Sequence, residues 1–212
     1  MISYIYCDYY LVYQPEFWHG KVISYEALLR KKSCEDLFPY HDFQQLSQEQ
    51  QQELTEYIAH HIYEVIQDVE QQISFNVSPA FLDQGMTYYI AELSKNLPPH
   101  TFVIEIIEDS FLQSPQEQYL RYLYQEGVGI RIDDVTDQYG WDNLRFIESI
   151  GIPFQIKVNM GNVSQDLLPY LREYGPVIQE GDKADITSTE DIIQSFQLSK
   201  PVFYPNKKTS SF

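Results

Sequence analysis

Residues 102–107 read Phe-Val-Ile-Glu-Ile-Ile, a short apolar segment typical of a buried strand but interrupted by the carboxylate of Glu105. A charged group inside an apolar strand costs free energy unless it is paired, hydrogen-bonded or bound to a metal. One such residue alone is usually a turn or cap residue, but the pattern recurs in other segments. The polar side chains within or at the ends of these segments are Glu26, Asn76, Asp133, Asp134, Lys157 and Glu180. Because six successive segments share the feature, they need a common explanation.

Short apolar segments alternate with longer amphipathic ones, which predicts a parallel sheet with helical crossovers. The predicted strands cover residues 4–14, 22–29, 73–78, 101–107, 127–134, 154–159 and 176–180, with a last one near 197–203. The predicted helices cover residues 47–72, 79–96, 115–126, 141–149, 164–174 and 188–196. This order favours an α/β fold, a closed (β/α) barrel. The chain of 212 residues is short for that fold, which typically takes about 250 residues.

The charge of the chain excludes several classes of partner. It contains 14 Lys and Arg against 31 Asp and Glu, a formal net charge of −17. Such a chain repels phosphate backbones, so we expect no DNA or RNA duplex as partner. An anionic membrane surface is excluded for the same reason. A substrate that carries phosphates would need divalent cations to screen the protein's own carboxylates.

Length and termini predict one domain over residues 1–205 and a frayed tail over residues 206–212. The first residues lack the basic region of a signal peptide. No stretch approaches the roughly 20 apolar residues that span a bilayer, and two cysteines cannot build a disulfide framework. We therefore expect a cytoplasmic protein.

The polar residues of the apolar segments predict one site, because the carboxyl ends of barrel strands converge on one mouth. Its oxygen ligands would be Glu26, Asn76, Glu105, Asp133, Asp134 and Glu180. Oxygen ligands suit hard cations, Mg²⁺ or Mn²⁺, with Ca²⁺ as a competitor. Several carboxylates beside Lys157 fit two-metal phosphodiester hydrolysis, in which the metals polarise the phosphate and generate hydroxide.

A series of short motifs carries a family resemblance. The motifs are Tyr13-Gln14-Pro15, Glu26-Ala27-Leu28-Leu29-Arg30, Asn76-Val77-Ser78-Pro79, Glu105-Ile106-Ile107-Glu108, Asp133-Asp134, Lys157, Glu180-Gly181, and Gln194 followed by Ser199-Lys200-Pro201. In this order, over about residues 11–205, they resemble the EAL-domain family of cyclic di-GMP phosphodiesterases. The chain looks like a divergent, shortened member of that family.

The resemblance implies a TIM-like barrel whose first strand is antiparallel, and hydrolysis of cyclic di-GMP to linear pGpG with Mg²⁺ or Mn²⁺, Ca²⁺ being inhibitory. It implies that the six oxygen-bearing residues of the predicted mouth ligate two metals. Lys157, Glu105, Asp133 and Gln194 would form the catalytic set, in which Lys157 and Gln194 position the attacking water. Gln14 and Arg30 would contact the ligand, and Glu108 would brace the loop that follows residues 127–134.

Departures from the family pattern leave alternatives open. Residues 135–143 are longer than the family loop that follows Asp133-Asp134, and that loop couples metal binding to dimerisation in the family. Lys183 replaces the second acid of the family's EGVE motif, Asn159 replaces the Asp of KxD, and the C-terminal third is compressed. The alternative to an enzyme is a degenerate domain without turnover, acting as a cyclic di-GMP receptor or by binding a protein partner. A homodimer is open in either case.

Overall fold

Eight strands close into a barrel in chain order. The computed structural model describes residues 9–31, 46–107, 109–136, 138–181, 184 and 190–194. The strands are β1 (Tyr9–Trp18), β2 (Lys21–Lys31), β3 (Gln72–Val77), β4 (Phe102–Ile106), β5 (Gly129–Ile132), β6 (Gln155–Asn159), β7 (Val177–Glu180) and β8 (Ile192–Gln194). β1 pairs antiparallel with β2 and β8, and every other neighbouring pair is parallel. The predicted barrel with an antiparallel first strand is confirmed.

The turn between β1 and β2 explains where the first strand ends. His19 and Gly20 have φ of 50° and 72°, the left-handed conformation that two-residue hairpin turns use. The strand therefore continues to Trp18, beyond the predicted end at residue 14, and Phe17 pairs with Val22. A bulge between Glu16 and Phe17 lets this long strand bend into the barrel wall.

Five helices are described outside the barrel. They are α1 (Gln48–Ile66), α2 (Gln84–Ser94), α3 (Ser114–Gln125), α4 (Gln138–Ile150) and α5 (Leu168–Arg172). Ser47 caps α1 through a capping box with Gln50, so the predicted start is confirmed. Short 3-10 turns at Pro79–Phe81 and Gln165–Leu167 precede α2 and α5. The predicted helices at 79–96 and 164–174 are therefore each divided in two.

One predicted helix is wrong. The sequence predicts a helix over residues 188–196, but within the described part of this range Ile192–Gln194 form β8, which pairs with β7 and β1. The barrel needs an eighth strand to satisfy the edges of β1 and β7, and this tertiary requirement overrides a weak local helix pattern. The strand predicted near 197–203 lies outside the described residues.

The apolar core lies between the barrel and its helices. Side chains without solvent exposure include Leu54 of α1, Ile90 of α2, Leu120 of α3 and Leu144 of α4. The barrel interior is different, because several of its buried side chains are polar or charged. These are Glu16, Ser24, Glu26, Ser74, Glu105, Arg131, Lys157 and Gln194. No helix among the described residues is long and apolar enough to cross a membrane.

Candidate functional site

Lys157 lies at the centre of the predicted cluster. Its Nζ is 2.8 Å from Glu105 Oε2, 3.0 Å from Asp133 Oδ1, 3.1 Å from Glu26 Oε2 and 3.9 Å from Glu180 Oε2. The five residues come from β2, β4, β6, the carboxyl end of β7 and the residue after β5. The structure thus brings together side chains that lie far apart in the sequence, at the barrel mouth where strand ends meet.

Glu26 is held by two amide side chains. Asn76 Nδ2 donates to Glu26 Oε1 at 3.1 Å, and Gln194 Nε2 donates to Glu26 Oε2 at 2.6 Å. The opposite atoms, Asn76 Oδ1 and Gln194 Oε1, are buried and have no hydrogen-bond partner among the described residues. Buried acceptors without a partner are costly. Two oxygen atoms of the mouth are therefore free to accept a ligand.

Asp134 is placed by a strained turn. Its φ is 34°, in the left-handed region that few non-glycine residues adopt outside functional turns. Its N–H donates to Asp133 Oδ1 at 2.9 Å, and its carboxylate accepts from the N–H of Asn159 at 3.4 Å. Both aspartates are thereby kept at the end of β5, next to β6.

The mouth carries more negative than positive charge. Burial, followed by repulsion from Glu105, raises the pKa of Glu26 to about 7, and burial raises that of Glu180 to about 7. Burial would also raise the pKa of Glu105, but Lys157 and Arg131 lower it to about 2. Burial would lower the pKa of Lys157, whereas the surrounding carboxylates raise it well above its usual range. The single ammonium group of Lys157 does not neutralise all of these carboxylates, so the cluster favours the binding of a further cation.

The donor set fits a hard divalent cation in its chemistry. Carboxylate and amide oxygens are the ligands that Mg²⁺ and Mn²⁺ prefer, and Asn76 Oδ1 is a buried oxygen to which no described residue donates a hydrogen bond. Among the described residues, no group of three or more His, Cys, Asp or Glu side chains is arranged to hold a metal ion. The Lys157 ammonium lies at the point on which the carboxylates converge, so a bound cation would compete with it for their oxygens.

The two predicted ligand-contacting residues lie on the first hairpin. Gln14 is paired in register with Glu26, and its buried Nε2 has no hydrogen-bond partner among the described residues. Arg30 follows Glu26 on the same strand, is half-buried, and donates from Nη1 to the carbonyl of Leu29 at 2.8 Å. Gln14 therefore borders the carboxylate cluster, and Arg30 lies farther along β2.

Three contributions to the surroundings of the mouth do not follow from the sequence patterns. Glu108, the predicted brace, lies outside the described residues. Asn143 of α4 is buried and bridges the loop between β4 and α3, since its Oδ1 accepts from Leu112 N at 2.7 Å and its Nδ2 donates to Ser110 O at 3.0 Å. The sequence signal was an amide residue on the apolar face of a helix. Sequence patterns also do not identify Arg131 and Glu16, two charged residues within strands. Arg131 donates to both Glu16 and Glu105.

Comparison with known proteins supports the fold. The sequence pattern of the EAL domain matches residues 6–159. The PaMucR phosphodiesterase in complex with c-di-GMP superposes with a TM-score of 0.69 at 18% identity, covering 92% of this chain and 97% of that chain. The EAL domain of DcpA from Mycobacterium smegmatis gives 0.68 at 20% identity, with 92% and 93% covered.

A larger protein also matches. BlrP1 of Klebsiella pneumoniae, solved with calcium and cyclic di-GMP, gives a TM-score of 0.67 at 18% identity, covering 92% of this chain and 56% of that one. At these identities the structural likeness establishes the fold. No curated protein is significantly similar to the chain in sequence.

Proposed function

The chain belongs to the EAL-domain family, and on that premise we propose that it hydrolyses cyclic di-GMP to linear pGpG with Mg²⁺ or Mn²⁺. The observation that carries the proposal is the convergence of Glu26, Glu105, Asp133 and Glu180 on Lys157. A chain that had lost this activity would be free to lose these costly buried charges. Solved relatives with the same fold include BlrP1 complexes containing cyclic di-GMP with calcium or with manganese.

In this proposal the mouth residues divide into three roles. The metal ligands, direct or through water, are Glu26, Asn76, Glu105, Asp133, Asp134 and Glu180. Divalent cations bound there would polarise the phosphodiester and lower the pKa of a bound water. Lys157 and Gln194 orient the attacking water, Lys157 through its three donor hydrogens and Gln194 through the oxygen that has no partner among the described residues.

Gln14 and Arg30 would hold the ligand. The guanidinium of Arg30 offers forked donors that match a phosphate, and a carbonyl contact to Leu29 already fixes one end of it. Gln14 Nε2, beside Glu26, is a buried donor that has no acceptor among the described residues. A bound nucleotide would supply that acceptor, which is why we place the substrate above β1 and β2.

A second candidate is a receptor or protein-binding role without turnover. Lys157 already neutralises part of the carboxylate cluster, so the mouth has a cation of its own. Exposed aromatic side chains in and beside residues 135–143 favour contact with a protein, since aromatic residues are enriched at interface hot spots. They are Phe111, Tyr139 and Tyr170, and Phe111 and Tyr139 have ring centroids 4.3 Å apart. A homodimer or another partner could use this surface.

A single domain over residues 1–205 and a cytoplasmic location belong to this proposal as predictions.

The deciding experiment incubates purified protein with cyclic di-GMP and Mn²⁺ or Mg²⁺ and follows pGpG by chromatography. Glu105→Gln removes one charge from the mouth and should abolish turnover. Glu92→Gln changes the exposed partner of Lys95 by the same charge and should leave turnover intact. If wild-type protein forms no pGpG with either metal, the proposed hydrolase activity is refuted. A cyclic di-GMP titration would then distinguish a receptor from a protein-binding module.

A further inference from the structure

Arg131 crosses the barrel interior beneath the mouth. It lies on β5, its side chain has no solvent exposure, and it contacts side chains from four other strands. Its donors reach Glu16 Oε1 at 2.6 Å, Glu16 Oε2 at 2.9 Å, Glu105 Oε1 at 2.5 Å, Ser74 Oγ at 3.0 Å and Gln155 Oε1 at 3.0 and 3.1 Å. The guanidinium thus joins β1, β3, β4 and β6 at one point.

Glu16 balances the charge of Arg131. The pair is bidentate, and Glu16 also accepts a hydrogen bond from Ser24 Oγ. A fully buried ion pair of this kind rarely adds stability over apolar residues of similar volume. The barrel interior could have been filled with Val, Ile or Leu, as barrel interiors commonly are. The position therefore calls for a reason other than stability.

The reason lies in how the two oxygens of Glu105 are used. Oε1 accepts from Arg131 and Ser74 below, whereas Oε2 contacts Lys157 in the mouth. We propose that Arg131, with Glu16 as its counterion, is a positioning residue that fixes the Glu105 carboxylate so that Oε2 is presented to the divalent cation. The inference rests on the proposed function insofar as Glu105 is a metal ligand.

The pair orients Glu105 without changing the charge of the site. Arg131 alone would repel a cation, but the Glu16 carboxylate is hydrogen-bonded to the same guanidinium and neutralises its charge. Residues that orient a metal ligand typically change metal affinity or activity by about 10- to 100-fold when they are replaced. Removing both members of the pair should therefore weaken cation binding through orientation alone.

The test uses the double variant Glu16→Gln/Arg131→Met, which keeps the net charge constant. Replacing both members avoids leaving one buried charge alone, which is the strongly destabilising case. Mn²⁺ affinity is measured by electron paramagnetic resonance of the free ion, and folding by urea unfolding in EDTA. The expected result is a folded protein whose Mn²⁺ dissociation constant is about 10- to 100-fold higher than that of wild type.

Two further variants separate positioning from a general effect on packing. Glu117→Gln/Arg121→Met removes an exposed ion pair on α3 with the same charge change and should bind Mn²⁺ as wild type does. Arg131→Lys keeps the buried charge but lacks the planar fork that serves Glu16 and Glu105 together, so its Mn²⁺ affinity should also fall by about tenfold. Repeating the double change in a Glu105→Gln background should have no further effect, because Arg131 acts through Glu105.

The outcomes distinguish this inference from the proposed function. A folded Glu16→Gln/Arg131→Met or Arg131→Lys protein with wild-type Mn²⁺ affinity overturns the inference, as does an equal loss of affinity in the Glu105→Gln background. Wild-type protein that binds Mn²⁺ but produces no pGpG refutes the hydrolase alone, and the affinity comparison still tests Arg131. Wild-type protein that binds no Mn²⁺ also overturns the inference, since Glu105 would then not be a metal ligand.

Discussion

Replacing Lys157 by Met should make the stability of the fold depend on a divalent cation. Lys157 is 3% exposed and lies within 3.1 Å of three carboxylates, those of Glu105, Asp133 and Glu26. Each contact at about 3 Å corresponds to about 5 kcal/mol at an effective dielectric constant near 20. The cost of burying the charges cancels most of this energy, so removing one partner of such a cluster typically costs about 3–5 kcal/mol.

The same change should strengthen cation binding, because the ammonium no longer competes for the carboxylate oxygens. A cation present at about 100 times its dissociation constant adds about 2.7 kcal/mol to the free energy of unfolding. In EDTA, Lys157→Met should therefore unfold at a much lower urea concentration than wild type, and Mn²⁺ should restore most of the difference. Mn²⁺ should stabilise the wild-type protein less than it stabilises the variant.

Urea unfolding followed by circular dichroism, with EDTA or Mn²⁺, measures both effects. Lys95→Met is the matched control, since Lys95 pairs with Glu92 on an exposed helix face, and it should leave the urea midpoint unchanged. The reasoning is refuted if Lys157→Met is as stable as wild type in EDTA. It is also refuted if the variant is destabilised but Mn²⁺ raises its midpoint no more than that of wild type.

Two predictions concern residues 135–143, of which residues 138–143 form the start of α4. A Cβ at Gly140 would lie 2.7 Å from the carbonyl oxygen of Asp134 and 3.0 Å from the Cα of Val135, so Gly140→Ala should displace Asp134 and lower Mn²⁺ affinity. The control Gly85→Ala, whose Cβ makes only an ordinary contact at 3.4 Å, should leave the affinity unchanged. Equal Mn²⁺ affinities of the two variants would contradict the proposal that Asp134 is a metal ligand. Asn143→Ala leaves the buried N–H of Leu112 and the part-buried carbonyl of Ser110 without their side-chain partner and should lower the free energy of unfolding by about 2 kcal/mol. An unchanged urea midpoint would show that the bridge is dispensable.

The polar cluster of the mouth could be predicted because each member interrupts an apolar segment or stands at its carboxyl end. The parallel order of β2 to β8 then brings these ends together regardless of the loops between them. The Glu16 and Arg131 pair could not be predicted in the same way. A charge in mid-strand does not reveal which face it occupies, and its partner here is 115 residues away.

The last described strand, β8, was harder to predict for a different reason. β8 has three residues, Ile192–Gln194, which is too few for a strand period to stand out from the helical pattern predicted over residues 188–196. Its existence follows from closure, since β1 and β7 would otherwise keep open edges. Local sequence patterns carry no information about that requirement.

The position of the site depends on barrel closure, to which even the shortest described helix contributes. α5 has only five residues, yet Arg172 at its end binds Asp191 through Nε at 2.9 Å and Nη2 at 2.6 Å, and Gln179 of β7 donates to the same carboxylate at 2.6 Å. These bonds hold the start of β8 against β7, and three residues later Gln194 reaches Glu26. A short α5 is thus compatible with the contact between Gln194 and Glu26, because Asp191 ties the start of β8 to both α5 and β7.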